Sequence, residues 1–106
     1  MARRRSEAEL ESAFQSDLIK ELRSLFAGCF ILKNDPNYLQ GVPDLLILHN
    51  DRWAMLECKA NLYSDRQPNQ DYYVDLLNQM SYAAFICPEN KDIILADLQQ
   101  TFGAGW

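Results

Sequence analysis

The sequence predicts an α/β fold in which helices flank a mixed four-stranded sheet, with elements in the order helix, three strands, helix, strand, helix. Three observations predict it. Apolar residues recur every four positions between Glu7 and Phe26. Two runs of strand formers, Leu45 to Leu48 and Trp53 to Cys58, flank a short polar connection. A further apolar run, Tyr82 to Cys87, follows a second helical pattern. Runs joined by a short polar connection pair antiparallel, whereas strand, helix and strand in succession call for a right-handed parallel crossover, so the sheet is expected to be mixed.

Each element has a local reason. Ser6 followed by Glu9 fits a capping box, and Leu10, Phe14, Leu18, Leu22 and Phe26, widened by Ile19 and Leu25, form one apolar stripe. The first helix is expected from Glu7 to Phe26, with Gly28 as its stop. Cys29 to Leu32 suits a short buried first strand, and Asn34 to Gln40 has loop chemistry throughout. Tyr38 in that loop either packs locally or stacks on a base.

His49-Asn50-Asp51-Arg52 reads as the turn of a β-hairpin. Ala60 to Gln67 is a polar loop, and Pro68 opens the next helix with Gln67 or Asp65 near its cap. Tyr73, Leu76, Leu77 and Met80 follow at helical spacing. The run from Tyr82 to Cys87 is a fourth strand ended by Pro88. Lys91 to Phe102 is a last helix with Ile94, Leu95 and Leu98 turned inward, and Trp106 ends a short tail that either tucks onto the body or meets a partner.

The chemistry sits at the open end of the hairpin. With Leu48 opposite Trp53, antiparallel pairing puts Leu46 opposite Met55 and Asp44 opposite Glu57, with Lys59 on the same face. Opposed residues have Cβ atoms roughly 4.5–5.5 Å apart. Two carboxylates that close repel unless a proton or a cation lies between them. Magnesium, or manganese, takes oxygen ligands of this kind and completes its shell with water and phosphate. Glu57 and Lys59 also interrupt an otherwise apolar strand, where charges need partners. Pro43 restricts the entry to the strand, and Gly41 allows a tight approach just before it.

Pro43-Asp44 followed by Glu57-Cys58-Lys59 resembles the signature of the PD-(D/E)XK nucleases, and Gly41-Val42-Pro43-Asp44 with Gln70 beyond is similar to their VRR-NUC branch. The resemblance covers nearly the whole chain and implies a restriction-endonuclease-like core with a metal-dependent endonuclease activity on DNA. Small stand-alone members of that branch occur in phages and cleave DNA, including branched junctions, so a Holliday junction resolvase activity is one expectation. A nickase and a general nuclease stay open beside it. It implies that Asp44, Glu57 and the carbonyl of Cys58 ligate Mg2+ or Mn2+, and that Lys59 positions or activates water. A glutamate on the first helix assists; Glu11, at the border of the apolar stripe, is the choice, with Glu7 one turn earlier as competitor. Gln70, in the first turn of the second helix, is expected to bond a phosphate oxygen or the catalytic water, with Gln67 as the alternative. A reading from another class is a noncatalytic adaptor on the same fold, which the intact Asp44, Glu57 and Lys59 argue against.

Composition sets the bounds. A chain of 106 residues is expected to form one domain with a modest core, preceded by a basic arm over residues 1–6. No apolar run approaches the roughly 20 residues that span a bilayer, and no signal-peptide core is present, so a cytoplasmic location is expected. Cys29, Cys58 and Cys87 each lie in apolar runs and read as buried thiols. A single histidine and no Cys-x-x-Cys exclude a zinc pattern. The net charge of −5 argues against nonspecific coating of nucleic acid. Positive charge is instead local: Arg3, Arg4 and Arg5 form the arm, and Lys33 and Arg66 lie near the site elements as candidate DNA contacts. A subunit this small offers little surface to DNA, so a symmetric homodimer with two paired sites is expected.

Overall fold

The computed structural model describes residues 4–103; Arg3 of the basic arm and Trp106 of the tail lie outside the described residues. The elements are α1 Glu7–Leu25, β1 Phe30–Lys33, β2 Leu45–His49, β3 Arg52–Cys58, α2 Pro68–Met80, β4 Ala83–Ile86 and α3 Lys91–Thr101. The strands form one sheet in the order β1-β2-β3-β4. β1 and β2 pair antiparallel, as do β2 and β3, while β3 and β4 pair parallel. The fold class and element order are those the sequence predicts.

Local chemistry accounts for the ends. Ser6 Oγ accepts the Glu9 N–H at 3.2 Å and Glu9 Oε1 accepts the Ser6 N–H at 3.2 Å, which satisfies donors that the first helical turn leaves open. The hairpin closes through Asn50 and Asp51 between the paired His49 and Arg52. Asn50 takes φ +56°, a left-handed conformation that asparagine tolerates better than most side chains. The register is as expected: Leu48 faces Trp53 and Leu46 faces Met55.

The sheet has two unlike faces. On one, α1 and α3 bring Leu18, Leu22, Ile94, Leu95 and Leu98 onto Leu45, Ile47, Leu56 and Ile86. Phe26, His49 and Phe102 stack edge to face at its far end, with centroids 5.1–5.7 Å apart. On the other face α2 lays Val74 and Leu77 against Met55, Ala83 and Phe85.

Several boundaries and burials differ from expectation. The first strand runs from Phe30 rather than Cys29 and is not buried: Phe30 is 61% and Leu32 44% exposed. β1 is an edge strand: Ile31 packs on the core under α1 and α3, while Phe30 and Leu32 alternate to the other face, where α2 contacts β3 and β4. Cys29 is half-buried, while Cys58 and Cys87 are buried as expected. α1 ends at Leu25 with Phe26 as cap, and Leu10 of the expected apolar stripe is 46% exposed.

Leu56 is fully buried at the centre of β3 with both sheet neighbours around it. Leu56→Ala should lower the unfolding free energy by about 2–5 kcal/mol, read from the midpoint of urea denaturation.

Candidate active site

The site is built where β2 begins and β3 ends. Extending the hairpin register past Leu45 and Leu56 brings Asp44 opposite Glu57. The Asp44 N–H donates to Oε1 of Glu57 at 3.2 Å, and the Cys58 N–H donates to Oδ2 of Asp44 at 2.9 Å. The same register sets Pro43 opposite Cys58. Proline has no N–H to offer, so the ladder leaves the Cys58 carbonyl without a donor from β2 on the edge that carries Asp44.

Glu57 is 5% and Lys59 9% exposed, the two buried charged residues among the described residues. Gln70 joins them. Its Nε2 donates to Oε2 of Glu57 at 3.1 Å, and its Oε1 accepts from Nζ of Lys59 at 2.9 Å and from the Gln67 N–H at 3.0 Å. Lys59 Nζ makes a second bond, to the Asp65 carbonyl at 2.9 Å. Gln67 caps α2, and Pro68 starts it, so the helix opens where its first turn can hold Gln70 against the strand end. The Gln70 amide thus bonds Glu57 and Lys59, with one Nε2 N–H committed to Glu57. Gln67 contributes a backbone group.

Burial dominates the electrostatics. It pushes the Glu57 carboxyl up to about 8, Asp44 adding to the rise and Lys59 opposing it. Burial also raises Asp44, against the pull of the Cys58 N–H and Lys59. Glu11 is raised by burial first and by Asp44 next, with Lys59 opposing. Its charge thus acts on the same cluster, and it also raises Glu57. Glu7, one turn earlier, is exposed. The thiol of Cys58 points to the opposite face, where burial and Asp44 raise it and a bond with Gln15 of α1 opposes the rise.

A neighbouring loop is bolted to this site. Gly41 takes φ +93°, and a Cβ there would lie 2.6 Å from Cγ of Asn69. Asn69 Nδ2 donates to the Gln40 carbonyl at 3.1 Å. The segment that delivers Asp44 is in this way held against the helix that carries Gln70. Between them runs a polar groove of about 320 Å³ lined by Pro36, Gln40, Gly41, Gln67, Asn69 and Gln70.

The basic residues are scattered. Arg4 and Arg5 are exposed ahead of α1, and Lys33 is exposed at the end of β1. Arg66 is held: its guanidinium lies 4.0 Å from the centre of the Phe85 ring and 3.3 Å from Asp71. Phe85 pairs with Glu57 across the sheet, so Arg66 borders the site face. Tyr38 is 86% exposed and does not pack into its loop.

Sequence reasoning missed the Asp65 carbonyl, Gln15, Asn69 and Asn34. The first three depend on how loops and helices meet, which no local pattern encodes. Asn34, read as the start of a loop, lies just past β1, where its N–H donates to the Asp44 carbonyl at 2.7 Å.

Comparison with known proteins finds no matching family model, no matching curated protein and no matching solved structure. No helix among the described residues is long and apolar enough to cross a membrane.

The donor set can be tested against a divalent cation. Among the described residues no three His, Cys, Asp or Glu side chains converge on one point. Two carboxylates do meet, both raised by a burial that a cation would offset, beside a carbonyl that the ladder leaves open. That set fits a hard ion which keeps several waters or takes phosphate oxygens, and it does not fit an all-protein cage.

The raised carboxyl of Glu57 has a defined pH signature. The native state holds its proton up to about 8, whereas the unfolded chain releases it near 4.5. Folding therefore binds a proton between those values, and stability falls as pH rises through that window. In metal-free buffer at pH 8, Glu57→Gln should be more stable than wild type by on the order of 2–4 kcal/mol, with the gap closing towards pH 4.5. Paired urea titrations at the two pH values check this.

Proposed function

We propose that the protein is a metal-dependent endodeoxyribonuclease of the PD-(D/E)XK type, close in its site pattern to the VRR-NUC branch. The observation that carries the reading is the bridge that Gln70 makes between Glu57 and Lys59. Burying a carboxylate and an ammonium costs several kcal/mol for each ion. Here neither is spent on a direct salt bridge, since Lys59 bonds Gln70 and the Asp65 carbonyl instead. Among the described residues the carboxylate pair is left without a lysine or arginine partner at bonding distance, as a cation site requires.

In this reading Asp44, Glu57 and the Cys58 carbonyl hold Mg2+ or Mn2+. Bound there, the ion would supply Lewis-acid stabilisation of charge on the phosphoryl oxygens and on the leaving oxygen. The chain's own contribution is positioning. Gln70 sets the distance between Glu57 and Lys59, and Lys59 keeps a third N–H to orient the attacking water or to donate to a phosphoryl oxygen. Glu11 adds negative charge that favours the cation. Water attacks in line and no covalent enzyme intermediate forms.

DNA would approach along the groove beside Gln70, where the lining is polar and uncharged. With a net charge of −5, binding rests on the ion and on local cations, Arg4 and Arg5 at the start of α1 and Lys33 on the sheet edge, with Arg3 added from outside the described residues. One site cuts one strand. A symmetric homodimer acting in the cytoplasm, on branched DNA such as a Holliday junction, would pair two sites for two cuts.

Glu57→Ala and Lys59→Ala should each reduce magnesium-dependent cleavage by at least about a hundredfold with the circular dichroism spectrum unchanged. Full activity in either purified variant refutes the assignment. A panel of labelled four-way junction, flap, duplex and single-stranded DNA reads the preference, and equal cutting of all four removes junction selectivity.

A further inference from the structure

One row of side chains crosses the sheet at the level of the site. Carried one residue past the pairs Lys33–Leu45 and Leu45–Leu56, the register sets Asn34 opposite Asp44 and Asp44 opposite Glu57, and Glu57 pairs with Phe85. Residues directly opposed in a ladder share a face and bring their Cβ atoms within roughly 4.5–5.5 Å. Asn34 is thus the immediate neighbour of Asp44 on the side away from Glu57, and its backbone is tied there by the N–H bond to the Asp44 carbonyl.

Nδ2 of Asn34 is, among the described residues, the one buried side-chain nitrogen or oxygen with no hydrogen-bond partner. Buried polar groups in folded proteins are nearly always paired, and an orphaned donor costs free energy for as long as it stays so. The acceptor directly across the ladder is the Asp44 carboxylate. Its Oδ2 takes the Cys58 N–H, while no donor of the described residues reaches its Oδ1. An unpaired donor and an unpaired acceptor therefore belong to residues that the register sets opposite each other.

We infer that Asn34 is a positioning residue of the site: its side-chain amide closes onto Oδ1 of Asp44 when that carboxylate turns to take a divalent cation together with Glu57. The inference rests on the metal-dependent reading above. Its physical basis is general, since a ligating carboxylate that gives one oxygen to a metal is oriented by a donor on the other. The amide is in this sense a deferred bond. It lowers the stability of the metal-free protein and is recovered when the ion binds. Because Nδ2 is neutral, it orients Asp44 without competing with the cation for the carboxylate charge, as a lysine in that place would.

The test uses Asn34→Leu, which keeps the shape of the side chain and removes the donor. In metal-free buffer the variant should melt about 4 °C or more above wild type, because the orphaned amide is gone. Titrated calorimetrically with manganese chloride, the same variant should bind about tenfold more weakly. A purely structural role for Asn34 cannot produce greater stability together with weaker ion binding. Affinity within twofold of wild type overturns the inference. Should Asn34→Leu give no cooperative melt, Asn34→Ala is titrated well below its transition and judged by the same twofold limit. Wild type and Glu57→Ala run alongside. Wild-type binding that Glu57→Ala abolishes and Asn34→Leu leaves intact removes only the role of Asn34. Absence of binding in wild type removes the metal-dependent reading and this inference with it.

Discussion

Everything about this molecule turns on two ionisable side chains buried at the end of β3. β3 has a neighbour on each side and helices on both faces, so Glu57 and Lys59 cannot reach bulk water as surface residues do. They need partners, and one amide from α2 serves both, beside the Asp44 N–H for Glu57 and the Asp65 carbonyl for Lys59. That requirement explains several features at once. Gln67 and Pro68 start the helix where its first turn meets the strand end, and Asn69 fills the space beside Gly41. The loop after Lys59 folds back to offer the Asp65 carbonyl.

Such an arrangement is costly. A carboxyl raised to about 8 is poised between two protonation states near neutral pH, and its neighbour Asp44 is raised as well. A protein selected for stability alone would replace the pair with apolar residues, which often pack as well or better. Strain of this kind concentrated at one edge of an otherwise ordinary core is what functional sites show. The unpaired amide of Asn34 belongs to the same account, because it adds a polar cost in the same row of the sheet and on the same face.

The rest of the fold serves as a frame. The face under α1 and α3 is densely apolar, with Leu22, Leu45, Ile47, Leu56 and Leu98 all fully buried. The opposite face is shared between the small α2 core, the site, and an uncovered strip along β1 and β2 where Phe30, Leu32 and Leu48 are exposed. The division follows from length. A thirteen-residue helix in a parallel crossover covers the strands it connects and no more.

By itself the sequence determined the element order, the hairpin register and the meeting of Asp44 with Glu57. All three are local: a strand has a side-chain period of two, and a two-residue turn sets which residues face each other across it. It likewise placed Gln70 in the first turn of α2 through Pro68, and Glu11 at the border of the α1 stripe. Only the tertiary structure decided that β1 is an exposed edge, that Gln70 spends its amide on Glu57 and Lys59, that Arg66 is held on Phe85, and that Asn34 is left without a partner. Those outcomes depend on which loop meets which helix and on how far each helix reaches across the sheet. Such distances are set by packing among residues remote in the chain, and no periodicity or motif carries them.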